Sequence, residues 1–159
     1  MRLILEADSG ILLFKSVSVL DFVSMSQPRE YIDGYTEFLG QKIDLSKRPL
    51  IPRPETEFWV EKVVKDIGDE TASVLDLFTG SGCIGIAVAK HCPKTRVTLS
   101  DKTNYVTTKL PLNCKYVESD IFMNLPNKYD LILANPPYVP DGGGVSGVMD
   151  HEPSDALYA

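Results

Sequence analysis

From Val74 to Ala134 the apolar residues fall in short runs, each closed by a glycine, an acid or a proline. Val74-Leu75-Asp76-Leu77-Phe78, Val97-Thr98-Leu99-Ser100-Asp101, Lys115-Tyr116-Val117 and Leu131-Ile132-Leu133-Ala134 read as short strands. Upstream the period changes. Val60, Val63, Val64 and Ile67 recur at i, i+3, i+4 and i+7, with Pro54 suited to a first helical turn and Gly68 to a stop. Glu55 and Glu57 face the positive end of that helix's dipole. Tyr31 to Ile43 sets aromatic and branched residues around Gly34 and Gly40, which predicts a β-hairpin that packs on the chain downstream of it. Residues 1 to 24 are ambiguous between helix and strand and carry no readable motif.

The chemistry concentrates after the Leu131 run, at Asn135-Pro136-Pro137-Tyr138. A loop at the carboxyl end of a buried strand lies where open α/β sheets bind ligands. The two prolines stiffen it and leave carbonyl oxygens in place of N–H donors. With the Asn135 side-chain oxygen added, such a loop can hold both hydrogens of a planar NH2 group, while Tyr138 offers a flat face for stacking. The tetrapeptide resembles the Asn-Pro-Pro-Tyr signature of AdoMet-dependent methyltransferases that act on planar nitrogens.

A second motif follows the Val74 run. Thr79 to Gly85 has the spacing Gly80-x-Gly82-x-x-Gly85 between a strand and a helix that opens at Ile84, and Asp101 ends the next strand about 20 residues on. In a dinucleotide enzyme that turn would cradle a pyrophosphate. AdoMet has none, so the amino-acid tail is expected beside the glycines and the ribose at Asp101. Residues 102 to 114, with Pro111 and several β-branched positions, barely leave room for a crossover helix. Glu118 to Phe122 closes the third strand with an acid placed to meet an adenine amine, and Asp141 to Gly144 with Gly147 predict a mobile loop.

Charge and cysteine usage narrow the class. A net charge of −6 over 159 residues argues against a broad phosphate-binding surface, so a nucleic-acid partner is not expected. The three cysteines form no CxxC pair and, with two histidines, no zinc set, so no metal is expected. Glu6, Asp8, Lys15 and Asp21 interrupt the apolar amino-terminal stretch, which argues against a membrane span or signal peptide and for a cytoplasmic protein.

Leu50 to Glu57, Asp76 to Gly85, Asn135 to Tyr138 and Glu152-Pro153-Ser154-Asp155-Ala156-Leu157 together resemble the HemK/PrmC family of protein-glutamine methyltransferases. The resemblance runs from about Glu30 onward. It implies an α/β fold, a class I AdoMet-dependent methyltransferase (Rossmann-like) sheet, expected to be incomplete at the C-terminus and preceded by a β-hairpin. It also implies S-adenosyl-L-methionine as cofactor and methylation of the glutamine amide in the Gly-Gly-Gln motif of class-1 peptide-chain release factors. Carried over, Asn135 and the Pro136 carbonyl would hold the amide, with Pro137 beside them and Tyr138 lining the pocket. Asp76, Gly80 and Gly82 would meet the methionine part, Asp101 the ribose, and Asp120 with Ile121 the adenine. Phe78 stands where many members have a small residue and would tighten the turn. Arg53 and its flanking prolines would line the entrance near cofactor and substrate.

The expected organisation is an amino-terminal segment of no assigned role (1–29), a hairpin and linker (30–50) and a partial methyltransferase domain (51–159). The family's helical docking domain is not recognisable in residues 1 to 29, and only four strands are visible. The Leu131 strand would then be an edge with unpaired backbone groups, which predicts self-association or completion by a partner. Two other readings share these features: a nucleic-acid amino-methyltransferase acting on a flipped base, and an inactive cofactor-binding remnant or fragment needing a partner.

Overall fold

The computed structural model describes residues 2–5, 13–16, 27–126, 128–140 and 151–158. Two short strands, β1 (Arg2–Leu5) and β2 (Leu13–Ser16), pair antiparallel within the stretch whose pattern was ambiguous. The Gly-rich segment from Asp141 lies outside the described residues.

The hairpin forms, but it starts later than its pattern suggests. Tyr31 to Asp33 belong to a short helix, α1 (Arg29–Asp33), and the strands are β3 (Tyr35–Phe38) and β4 (Gln41–Asp44). Gly34 is a helix cap, with φ 77° and its N–H donating to the Glu30 carbonyl at 2.9 Å. An aromatic-branched-polar triplet before a glycine suits either element, and the cap decides it. The hairpin turn places Leu39 (φ 45°) and Gly40 (φ 71°) in left-handed conformations, which match the twist of a two-residue hairpin. Leu39 holds that conformation because its N–H donates to Glu57 Oε1 at 2.6 Å and its carbonyl meets His91 Nε2 at 2.9 Å. Glu57 thus anchors the hairpin as well as facing a helix dipole.

Helix α2 (Pro54–Ile67) has Pro54 in its first turn and Gly68 at its end. Beyond it, β5 (Ser73–Leu77), helix α3 (Cys83–His91), β6 (Arg96–Asp101), β7 (Cys114–Glu118) and β8 (Leu131–Ala134) build one parallel sheet in the order β7-β6-β5-β8. On one face Val74, Val97, Leu99 and Leu133 pack with Val60, Ile86, Val88 and the hairpin's Phe38 and Ile43. On the other, Leu75 and Leu77 meet Leu125, Val117 and Tyr129. Residues 102–113 contain no helix; Val106 and Leu110 of that connection pack on the core directly. Strand β8 is an edge of this sheet, and Ile132 is 48% exposed. A final turn of helix, α4 (Ser154–Leu157), returns to the acceptor loop, where the Val139 N–H donates to the Leu157 carbonyl at 3.0 Å. Among the described residues no helix is long and apolar enough to cross a membrane.

Gly85 is where α3 comes closest to the sheet. A Cβ there would lie 2.0 Å from Leu99 Cδ2 and 3.1 Å from Asp76 Cβ, so the buried Leu99 side chain or the helix itself would have to shift. Gly85→Ala is expected to cost about 1–3 kcal/mol, the usual range for overpacking. Chemical denaturation checks this, and an unchanged midpoint would contradict the close approach.

Candidate functional site

The loop from Phe78 to Gly82 carries β5 into α3 through three left-handed residues, Phe78 (φ 59°), Gly80 (φ 51°) and Gly82 (φ 85°). A phenylalanine is a costly occupant of that region. The loop is held at several points: Thr79 N–H donates to the Ser100 carbonyl at 3.0 Å, Gly82 N–H to the Thr79 carbonyl at 2.8 Å, and Gly80 N–H to Asp101 Oδ2 at 2.9 Å.

Asp76 sits beneath this loop. It shares the sheet face of Val74, the face that α3 covers, and is completely buried. Its Oδ2 accepts from the Thr79 hydroxyl and from Gly85 N–H (2.9 Å), while Oδ1 has no partner among the described residues. Burial pushes its carboxyl up, the nearby Asp101 carboxylate adds to the rise and the two hydrogen bonds oppose it, which leaves it at about 7.

A cleft of about 220 Å³ opens at the carboxyl ends of the strands. Phe78, Gly80, Asp101, Asp120, Ile121, Arg53, Asn135 and Pro137 line it, so these sequence-predicted residues are brought together. Asp76 and Gly82 are not among its lining. They shape the loop from below, because the α3 face of β5 turns Asp76 inward. A second cavity of about 230 Å³ adjoins the first and is lined by Asn135, Pro136, Tyr138, Arg53, Glu55 and Trp59. Leu50, Arg53, Thr56, Asn135 and Ala156 belong to both walls. The two cavities therefore meet at Asn135 and Arg53. Tyr138 is 75% exposed, an open aromatic face at the rim of the second.

Several lining groups were not assigned a role from sequence. Tyr105, in the β6–β7 connection, places its hydroxyl 3.4 Å from Asp155 Oδ1, and Lys102 Nζ is 3.9 Å from Asp155 Oδ2. These contacts draw α4 across the cleft. Glu152 is buried and accepts from Ile51 N–H at 2.9 Å and from the Arg53 guanidinium. The only signal for them was the Glu152 to Leu157 stretch, whose chemistry depends on a partner that folding supplies. Cys83 also lines the cleft, but burial pushes its thiol up to about 12, so it stays protonated. Among the described residues no group of His, Cys, Asp and Glu could hold a metal ion.

A family model described as the methyltransferase small domain matches residues 54–150. The chain is 38% identical over 143 residues to a release factor glutamine methyltransferase of Streptococcus pneumoniae, covering 84% of this chain and 51% of that protein. It is 38% identical over 154 residues to the protein of the same name from Leptospira interrogans, covering 85% and 53%. A third such protein, from Bacteroides thetaiotaomicron, is 34% identical over 146 residues, covering 84% and 52%. The chain spans about half the length of the curated relatives it matches.

Proposed function

We propose that this chain, which belongs to the methyltransferase small domain family, is an AdoMet-dependent enzyme that methylates the side-chain amide nitrogen of a glutamine. Its substrate is a class-1 peptide-chain release factor, modified in the Gly-Gly-Gln motif in the cytoplasm. The relatives' names support the substrate class. The observation that carries the chemistry is the meeting of the two cavities at Asn135, which belongs to the walls of both.

The first cleft's groups fit AdoMet. Asp101 and Asp120 offer acceptors for hydroxyl and amine hydrogens, Phe78 and Ile121 offer apolar surface, and Gly80 lets the backbone come close. When bound, AdoMet supplies an electrophilic methyl group on a sulfonium sulfur. An amide nitrogen is a poor nucleophile, because its lone pair is delocalised into the carbonyl. Asn135 Oδ1 and the Pro136 carbonyl accept the two amide hydrogens and turn the lone pair toward the methyl carbon, while Tyr138 stacks on the amide plane. AdoMet would give up its methyl group with the sulfur keeping the bonding electron pair, and the methylated amide would release its proton to water. No side-chain base is required.

The test is transfer of labelled methyl from AdoMet to a release factor, to the same factor with its Gly-Gly-Gln glutamine replaced, and to DNA. Label on the first alone is the expected result. Label on DNA would favour a base-modifying enzyme, and label on none a cofactor-binding remnant.

Strand β8 adds a proposal about assembly. Its outer side has no neighbour among the described residues, and such edges pair with other chains. The chain is expected to self-associate, and Ile132→Lys to shift it toward monomer in sedimentation velocity. A wild-type chain that stays monomeric with cooperative unfolding would contradict this.

A further inference from the structure

The positive side chains lining the cofactor cleft are Arg53 and Lys102. Lys102 directly follows β6 and lies near Asp155. Of the two, only Arg53 also lines the acceptor cavity. The strand order β7-β6-β5-β8 gives the cleft its direction. If Asp120 and Ile121 after β7 receive the adenine and Asp101 on β6 the ribose, the amino-acid tail runs past the β5 loop toward β8. Arg53 is the cation at that end. Its guanidinium is fixed by an unusual partner: the Glu152 side chain is 0% exposed, that of Arg53 26%, and the second Glu152 oxygen is occupied by Ile51 N–H at 2.9 Å. Glu152 binds the guanidinium through Nη2, so donors of the planar fork remain for another group.

We infer that Arg53 binds the carboxylate of the cofactor's amino-acid tail and that Glu152 is the positioning residue that aims it. The inference rests on the AdoMet reading above. It also gives Arg53 a definite role in alignment, because anchoring the tail at the junction of the cavities brings the sulfonium beside Asn135. A purely structural alternative makes the pair a staple between the segment around α4 and the entry of α2.

Two ligands separate these cases. S-Adenosylhomocysteine carries the amino-acid tail; 5′-methylthioadenosine keeps the adenosine and a thioether but lacks the tail. Calorimetry on the full chain is expected to show Arg53→Met weakening the first by about tenfold or more and the second by less than about twofold, since one charge-assisted hydrogen bond is at stake. Glu152→Gln should also selectively weaken S-adenosylhomocysteine, because a guanidinium released from the pair regains rotamers that the complex must freeze. On an Arg53→Met background Glu152→Gln should change the ratio of the two affinities no further. Equal losses for both ligands would make the pair a staple, and unchanged affinity in Arg53→Met would remove Arg53 as the carboxylate's partner. A wild-type chain that binds neither ligand would overturn the cofactor reading itself, and this inference with it.

Discussion

Asn135→Ala is expected to lower methyl transfer to a release factor by on the order of a hundredfold or more, the usual cost of losing a preorganised hydrogen-bond partner at a reacting centre. The amide gives little nucleophilicity of its own, so the reaction depends on holding both hydrogens while the lone pair faces the methyl carbon. Alanine removes one acceptor and leaves the Pro136 carbonyl, which cannot fix the amide plane alone. Asn135 also lines the cofactor cleft, so its effect is not confined to the acceptor side. S-Adenosylhomocysteine affinity is nevertheless expected to change by only a few-fold, because Asp101, Asp120 and the loop from Phe78 are untouched. Tyr138→Ala should be milder, since its largely exposed ring supplies pocket shape and stacking but no acceptor. The measurement is single-turnover transfer in a form of the protein that turns over, with cofactor affinity measured in parallel. Equal rates for wild type and Asn135→Ala would exclude the tetrapeptide as the amide clamp.

The parts of this site that were legible in the sequence are those where one local stretch determines its own geometry. Asn135 to Tyr138 follows a strand directly, and its prolines set the backbone wherever the rest of the chain goes. The glycines at positions 80, 82 and 85 are likewise readable because the left-handed turn and the close approach to Leu99 need them locally. What failed to read is what depends on which face a side chain takes or on a distant partner. The face Asp76 takes is one such point: it ends a strand in the way a ligand-binding acid would, and strand alternation sets it with Val74 under α3, buried beneath the loop that lines the cleft. Glu152 was visible only as part of a resemblance, because its meaning is the Arg53 guanidinium and the Ile51 N–H that the fold brings to it. The hairpin's late start has the same origin, since Gly34 suits a strand turn and a helix cap equally and only the Glu30 carbonyl decides.

The buried Asp76 should make the protein lose stability as pH rises from mildly acid to neutral. Its carboxyl has an ordinary value of 3.8 in the unfolded chain and about 7 in the fold. Between those values the unfolded state releases a proton that the folded state keeps, so the unfolded state binds fewer protons and stability falls with pH. Below the lower value both states are protonated, and above the upper one both are ionised, so the loss is confined to that window. Its full size is on the order of 4 kcal/mol, from about three pKa units at about 1.4 kcal/mol each. No exposure discounts it, because the side chain is completely buried. Asp44 and Asp130 act in the opposite sense: hydrogen bonds from Ser46 and Ser73 hold their carboxyls below the ordinary value, so their contribution disappears only toward the acid end. Comparing wild type with Asp76→Asn removes those shared terms. The one oxygen of asparagine can still accept from both Thr79 and Gly85, but its NH2 takes the place of the unpartnered Oδ1 and it cannot ionise, so it should be the weaker protein near pH 4.5 and gain on wild type steadily up to about pH 7. Urea unfolding across that range measures the difference. Parallel stability curves for the two proteins would mean that Asp76 does not hold its proton in the fold, and the loop from Phe78 to Gly82 would then rest on a buried, ionised carboxylate.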